Sequence, residues 1–333
     1  MSRALDKHVI AAFKQGDHEK IFQAVSGLLV QQEDDRLLEI EILGRSHPIG
    51  PHENYLRDDN AVAIPKLRLV QAFLVARSIL QAHLEGGPVE SNRLRLATCA
   101  LLLMDPEHLT AANTRKRLLQ NELSATSDPS SVLRREKWFV DSLLTSRLHR
   151  HTKSPTLWSH RRWLAGQMRT ANVTIAIPQD VENVIMIAAE RHPRNYYAWT
   201  HARWLTKTFR ATCMGEELMS LILGVKKWCF RHHTDVSGWS FLVFLLAESQ
   251  AEGDCQAHRL VFKETLDLAD SLRWANESVW WFLRTTASCA ALSPTGREDF
   301  NKTQEKLAAT IPQGSVETKV LQTAREWCEL YGR

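Results

Sequence analysis

The residues best placed to do chemistry recur at intervals instead of forming one compact motif. Lys153 stands before Ser154-Pro155, the run Arg194-Asn195-Tyr196-Tyr197 precedes Trp199, and Asn276 precedes Trp280. If these positions are entrances of equivalent helices in an array, Lys153, Asn195, Tyr196, Tyr197 and Asn276 line one edge facing whatever the array embraces. Just beyond the entrances lie His160, Arg161 and Arg162 in one place and His201 and Arg203 in another. A guanidinium fork suits a carboxylate, supplied either by a partner or by the adjacent helix. The runs His149-Arg150-His151 and His232-His233 invite a zinc reading. Histidine near a helix C-terminus is favoured by the dipole, so no metal site is expected. Phosphate-loop, dinucleotide and nucleophile-elbow patterns are missing, so the chain is not expected to be an enzyme on its own.

The elements that must position these residues are read from a repeat. Pro193-Arg194-Asn195-Tyr196-Tyr197-Ala198-Trp199-Thr200-His201-Ala202-Arg203-Trp204-Leu205 is echoed by Ser154-Pro155-Thr156-Leu157-Trp158-Ser159-His160-Arg161-Arg162-Trp163-Leu164. Asn276-Glu277-Ser278-Val279-Trp280, with Arg284 four residues on, is a third copy. Asp235-Val236-Ser237-Gly238-Trp239, with Val243 in place of the Arg, and the stretch around Ala112 with Arg115-Lys116 are weaker ones. The anchors at 112, 158, 199, 239 and 280 are separated by 46, 41, 40 and 41 residues. That near-constant period predicts an all-α solenoid of helical hairpins. Trp158, Trp199, Trp239 and Trp280 are read as structural, with Arg162 and Arg203 repeating beside them. The apolar residues five and six later, Trp163-Leu164 and Trp204-Leu205, are expected on the packing side.

This pattern, Asn-Tyr followed by Trp, His-x-Arg or Arg-Arg, and an apolar residue, resembles the repeat of protein prenyltransferase alpha subunits. The resemblance covers roughly residues 105 to 290. It implies a crescent-shaped α-α superhelix wrapping a catalytic beta subunit, with zinc held in that partner and no cofactor in this chain. It further implies that Lys153 reaches the diphosphate leaving group and that Arg194, Asn195, Tyr196 and Tyr197 edge the diphosphate and peptide. Negative charge builds on the leaving oxygens during prenyl transfer, and a dry ammonium or phenol there lowers the barrier. The chain departs from the family at Pro155, where Tyr is usual, at Tyr197, where His is usual, and at Ala112, which removes the first Trp. The amino-terminal portion is closer to the branch that pairs with the Rab geranylgeranyltransferase beta subunit, which implies geranylgeranyl diphosphate and a protein bearing a C-terminal cysteine as substrates. The competing reading is a helical-repeat interaction scaffold that has lost catalysis.

At 333 residues, with 44% hydrophobic and 24% charged residues, the chain can bury a large core. A net charge of +4 and scattered basic runs do not argue for nucleic acid. Helical RNA readers fix polar base-reading pairs, whereas the fixed positions here are Trp and Leu. The six cysteines are far apart and without a CxxC pair, which fits reduced thiols in the cytoplasm. No window reaches membrane-spanning length, and Met1 to Lys14 is too charged for a signal peptide. Residues 1–90 are expected to form a helical extension, with helices over 3–43 broken near Gly16-Asp17 and a loop over 44–65. Five repeats are expected over 91–291 and capping helices over 292–333, with proline-bearing helix starts throughout. No segment is expected to be a strand.

Overall fold

A computed structural model describes residues 16–32, 35–44, 47, 50, 53–289 and 292–331. The helix expected over residues 3–15, Pro48 and Pro51 lie outside the described residues. The chain divides into two compact units, residues 1–175 and 176–333.

The first unit opens with α1 (His18–Gly27), capped by Asp17, whose carboxylate accepts from Lys20 N. A three-stranded sheet follows: β1 (Glu39–Leu43), β2 (Leu56–Asp58) and β3 (Ala61–Pro65), in the order β1-β3-β2. β1 runs parallel to β3 with Ile40 opposite Val62, and β2 runs antiparallel to it with Arg57 opposite Val62. This sheet corrects the helix expected up to residue 43 and the loop expected over 44–65. Glu39-Ile40-Glu41-Ile42 does alternate with period two. The preceding Leu37-Leu38 blurs that alternation into an apolar run, for which periodicity alone does not separate helix from strand. Ile40, Val62 and Ile64 are buried beneath the sheet. Strand β3 then runs through Pro65 into α2 (Lys66–Leu84), and α3 (Ser91–Met104) packs on α2. Helices α4 (Leu109–Ala125), α5 (Pro129–Leu144) and α6 (Pro155–Thr170) complete the unit, with α5 packed against both β1 and α6. The Trp138 indole N–H donates to Arg36 O at 2.8 Å, and Leu38 N donates to Ser142 Oγ at 3.1 Å, tying the approach to β1 onto α5.

The second unit begins with α7, whose segments Ile177–Asp180 and Ile187–Arg191 flank a π-helical stretch, Val181–Met186. Then come α8 (Tyr196–Thr208), α9 (Glu216–Arg231), α10 (Val236–Ala251), α11 (Gln256–Ser271), α12 (Glu277–Ala287), α13 (Pro294–Thr310) and α14 (Val316–Tyr331). They stack in two layers. Helices α8, α10, α12 and α14 each touch the next, and so do α7, α9, α11 and α13. This is the helical-repeat solenoid that the period predicts.

One burial template phases the repeats. Counted from the anchor, the residues at −1, 0, +2, +3 and +7 are buried in all five first helices, α4, α6, α8, α10 and α12. Position +6 is buried in the four that carry a Trp anchor. These offsets sweep one face of a 3.6-residue helix. Position +5 falls outside that face. Trp163 and Trp204 are accordingly half-buried, which corrects their expected place in the packing layer, while Leu164 and Leu205 at +6 are in the core. Between α10 and α9 the fit is closest at Gly238, where a Cβ would lie 2.5 Å from Trp228 Cζ3.

Trp239→Ala is therefore expected to cost about 3–5 kcal/mol in denaturant unfolding, and Trp204→Ala on the order of 1 kcal/mol. Equal losses would refute the burial template.

Candidate functional site

Each repeat entrance is built around a helix cap, and at three of the five an anchor indole adds a second bond. The residue four before each anchor caps the helix: His108, Ser154, Asn195, Asp235 and Asn276 each accept from a backbone N–H of the first turn. The anchor indole then reaches back past the cap. Nε1–H of Trp158 donates to Thr152 O at 2.9 Å, that of Trp239 to His233 O at 3.0 Å, and that of Trp280 to Trp274 O at 2.8 Å. One residue remains between that carbonyl and the cap, and it is occupied by Glu107, Lys153, Arg194, Thr234 and Ala275 in successive repeats. Lys153 and Arg194 are thus repeat equivalents, and both are exposed.

Neighbouring entrances bond to each other within each unit. In the first unit Ser154 Oγ donates to Pro106 O at 3.1 Å and Thr156 Oγ1 to Glu107 Oε2 at 2.7 Å. In the second, Arg194 N donates to Asp235 Oδ2 at 2.6 Å, Ser278 Oγ donates to Thr234 O at 3.0 Å, and Asn276 Nδ2 lies 2.9 Å from His233 Nδ1. Entrances from consecutive hairpins therefore do share an edge in each unit.

The residues singled out from sequence fall into different environments along these edges. Asn195 is 1% exposed. Its Oδ1 accepts from Ala198 N and its Nδ2 donates to Ala188 O, so it builds the entrance instead of presenting itself. Tyr196 is 57% exposed, and its ring lies 4.1 Å from that of Tyr197. The hydroxyl contact with Tyr197 pushes the Tyr196 phenol above its ordinary pKa. Arg194 takes φ +59, and the buried Trp199 indole N–H has no hydrogen-bond partner among the described residues. A left-handed residue at this point re-aims the carbonyl that the other anchors use. Proline occupies N1 of α6 as Pro155, where its missing N–H costs nothing.

The Arg and His residues inside the repeats resolve toward internal pairing. Arg161 Nε donates to Asp141 Oδ1 at 2.7 Å, with both side chains 2% exposed. Arg115, at the same +3 offset, donates from Nε to Glu136 Oε1 at 2.7 Å, and its guanidinium lies 3.7 Å from the Phe139 ring centroid. His160 Nε2 is 2.9 Å from that Glu136 oxygen. Burial pushes Glu136 up, but Arg115 and His160 outweigh it and hold the carboxyl at about 2. Burial also depresses His160. In the second unit Arg203 donates to Ser240 O and Oγ on α10, and Arg284 pairs with Glu277. Arg162 is exposed. Arg115 was recognisable only as a weak copy of the repeat, and Glu136 and Asp141 carry no signal because they sit on α5, a helix outside the anchor pattern.

The histidine runs are also structural. His151 Nε2 lies 3.0 Å from both Leu102 O and Leu103 O, and burial lowers its pKa to about 4. His232 stacks on Trp228 at 4.2 Å, and His233 on Trp274 at 4.7 Å. No group of three His, Cys, Asp or Glu residues able to hold a metal occurs among the described residues, and no described helix is long and apolar enough to cross a membrane.

These features define an α-helical hairpin-repeat protein whose hairpins are phased by capped, indole-anchored entrances. Comparison with known sequences finds part of the chain similar to proteins named for prenyltransferase alpha-subunit repeats. The chain is 32% identical over 169 residues to protein prenyltransferase alpha subunit repeat-containing protein 1-A of Xenopus laevis, covering 45% of this chain and 36% of the frog protein. It is 31% identical over 165 residues to the frog 1-B protein, again over 45% and 36%. The human repeat-containing protein 1 is 39% identical over 71 residues, or 21% of this chain and 15% of the human one. The matched stretch thus spans little more than a third of the frog relatives. Residues 157–265 also match the family model described as the ECM9 middle domain.

Glu136 carries a pH dependence whose sign follows from its lowered pKa. Its contribution is present above the unfolded value near 4.5 and is lost as pH falls toward 2. Glu136→Gln, which strands Arg115 in the core, is expected to cost about 3–5 kcal/mol at neutral pH and to flatten the acid limb of the stability profile. Denaturant titrations from neutral pH down to pH 3 check both.

Proposed function

We propose that this chain is the non-zinc alpha subunit of a heterodimeric protein geranylgeranyltransferase, acting in the cytoplasm. It holds a beta subunit of the Rab geranylgeranyltransferase type, which carries the zinc, and it lends cationic and phenolic groups to the pocket of the isoprenoid diphosphate. The observation that carries this reading is the pairing of sequence relationship with entrance geometry. Lys153 and Arg194 occupy the same repeat position, are exposed, and stand directly before capped helices, in a chain 45% of which is similar to a protein named for prenyltransferase alpha-subunit repeats. Tyr196 and Tyr197 lie just after Arg194, at the start of α8, with their rings 4.1 Å apart.

The chemistry asked of these groups is charge stabilisation. As the cysteine thiolate of the protein substrate attacks the allylic carbon, the carbon–oxygen bond breaks and the diphosphate departs with the electron pair. The Lys153 ammonium, the Arg194 guanidinium and the Tyr196 and Tyr197 hydroxyls are donors suited to the departing oxygens, and removal of one such donor typically slows turnover about a hundredfold. Asn195 serves them by fixing the first turn of α8.

A second reading is a scaffold without catalysis, favoured by Pro155 at a usual Tyr position and by the burial of Asn195. Purification of the tagged chain from its source cells separates the two. A prenyltransferase beta subunit at one-to-one stoichiometry is expected, and its absence supports the scaffold. With that heterodimer in hand, Lys153→Ala is expected to leave assembly intact and reduce turnover by roughly a hundredfold. Unchanged turnover removes Lys153 from the mechanism.

A further inference from the structure

The charge of this chain is far from evenly spread. Residues 109–170, comprising α4, α5 and α6, contain twelve Lys and Arg against four Asp and Glu, although the whole chain carries only +4. The four acids are committed. Glu136 and Asp141 are buried with Arg115 and Arg161, Glu122 pairs with Arg95 and Arg135, and Asp128 caps α5. Helix α6 contains no Asp or Glu at all.

Part of the surplus lies on α4 and α6 outside the burial template. Lys116 and Arg117 of α4 and Arg169 of α6 lie there, and none of them has an acidic partner among the described residues. Lys116 Nζ sits 5.7 Å from the Trp163 ring centroid, which joins the two helices into one continuous face. Lys116 is half-buried there, and burial lowers its pKa. Beside Trp163, Gly166 leaves open space over the helix. The face thus holds one apolar platform, Trp163, flanked by cations at helical intervals.

We propose that the outer face of α4 and α6 docks an acidic amphipathic segment of a protein partner, its carboxylates meeting Lys116, Arg117 and Arg169 and one apolar side chain resting on Trp163 and Gly166. Charge complementarity names the occupant: an acid-free cationic face attracts carboxylates, and removing Lys116 from solvent strengthens its attraction for them. Carboxylates spaced along one side of a helix match cations spaced along two helices. A nucleic acid strand fits less well. It needs successive aromatic platforms, and this face offers a single indole whose ring Lys116 already approaches. This inference does not rest on prenyl transfer.

The test uses the full chain and a fluorescent peptide of about twenty residues repeating Glu-Glu-Leu-Glu, read by anisotropy at low salt. The expected result is saturable binding that Lys116→Glu, Arg117→Glu and Arg169→Glu together weaken tenfold or more, with the unfolding midpoint unchanged. Arg117→Glu with Arg169→Glu, which leaves half-buried Lys116 in place, is expected to show a smaller loss in the same direction. The charge-matched set Arg134→Glu, Lys227→Glu and Arg259→Glu, at exposed positions on other helices, is expected to change affinity less than threefold. Equal weakening by both sets overturns the proposal, as does no binding by the unaltered chain. Tighter binding of an oligouridylate of the same length, lost in the first set, reassigns the face to nucleic acid and likewise overturns it.

Discussion

The bond from an anchor indole N–H to the backbone carbonyl six residues earlier is the constraint that sets three of the five repeat entrances. An indole buried in a packing layer must place its N–H somewhere, and a lone buried donor costs about 1–3 kcal/mol. Reaching backward over the cap satisfies the donor and fixes the loop that leads into the helix. That loop in turn sets the cap, and the cap sets where the first turn starts. The polar residue lodged between carbonyl and cap is then held in a repeatable position. Lys153 occupies that place because of how Trp158 is buried, which links core packing directly to the chemistry available at the edge.

Repeat 3 departs from this rule in an instructive way. Trp199 keeps its burial but not its bond, and Arg194 adopts the left-handed conformation while its N–H turns to the Asp235 carboxylate. Strain of this kind costs on the order of 1 kcal/mol and persists only where surrounding structure over-determines it. Asp235 supplies that surrounding structure, since the same side chain also caps α10. Entrances 3 and 4 are therefore coupled through one carboxylate, and exposed Tyr196 with half-buried Tyr197 begins α8 two residues after the strained one.

Much of the architecture was legible from residue types and spacing. The period of the anchors gave the hairpin repeat, because a Trp buried at the same phase of every first helix recurs at the same offset. Proline, Ser, Asp and Asn before those helices gave their starts, since each has a local mechanism for beginning a helix. The sheet was not read because its strands are short and Glu39-Ile40-Glu41-Ile42 abuts two leucines, so tertiary pairing with Val62 and Ile64 decided what local pattern left ambiguous. Offsets of five and six residues after the anchor suggest one helix side for Trp163-Leu164 and Trp204-Leu205, but only the second of each pair falls within the buried face. Of the edge residues, the exposed ones were recognisable by type. That Asn195 is consumed as a cap follows from its position four before the anchor, a rule visible only when all five entrances are compared.

The contents of position +3 carry a last consequence. In α4 and α6 it holds Arg115 and Arg161, each answered by a carboxylate on α5, whereas in α8, α10 and α12 it holds Ala202, Leu242 and Leu283. The hairpins share a silhouette but not an interior, so they are not interchangeable modules. A first helix transplanted from the later repeats onto α5 would leave Glu136 and Asp141 as uncompensated buried anions. The reverse transplant would drive a guanidinium into hydrocarbon. Duplication and shuffling of these hairpins is thereby confined to neighbours of like interior.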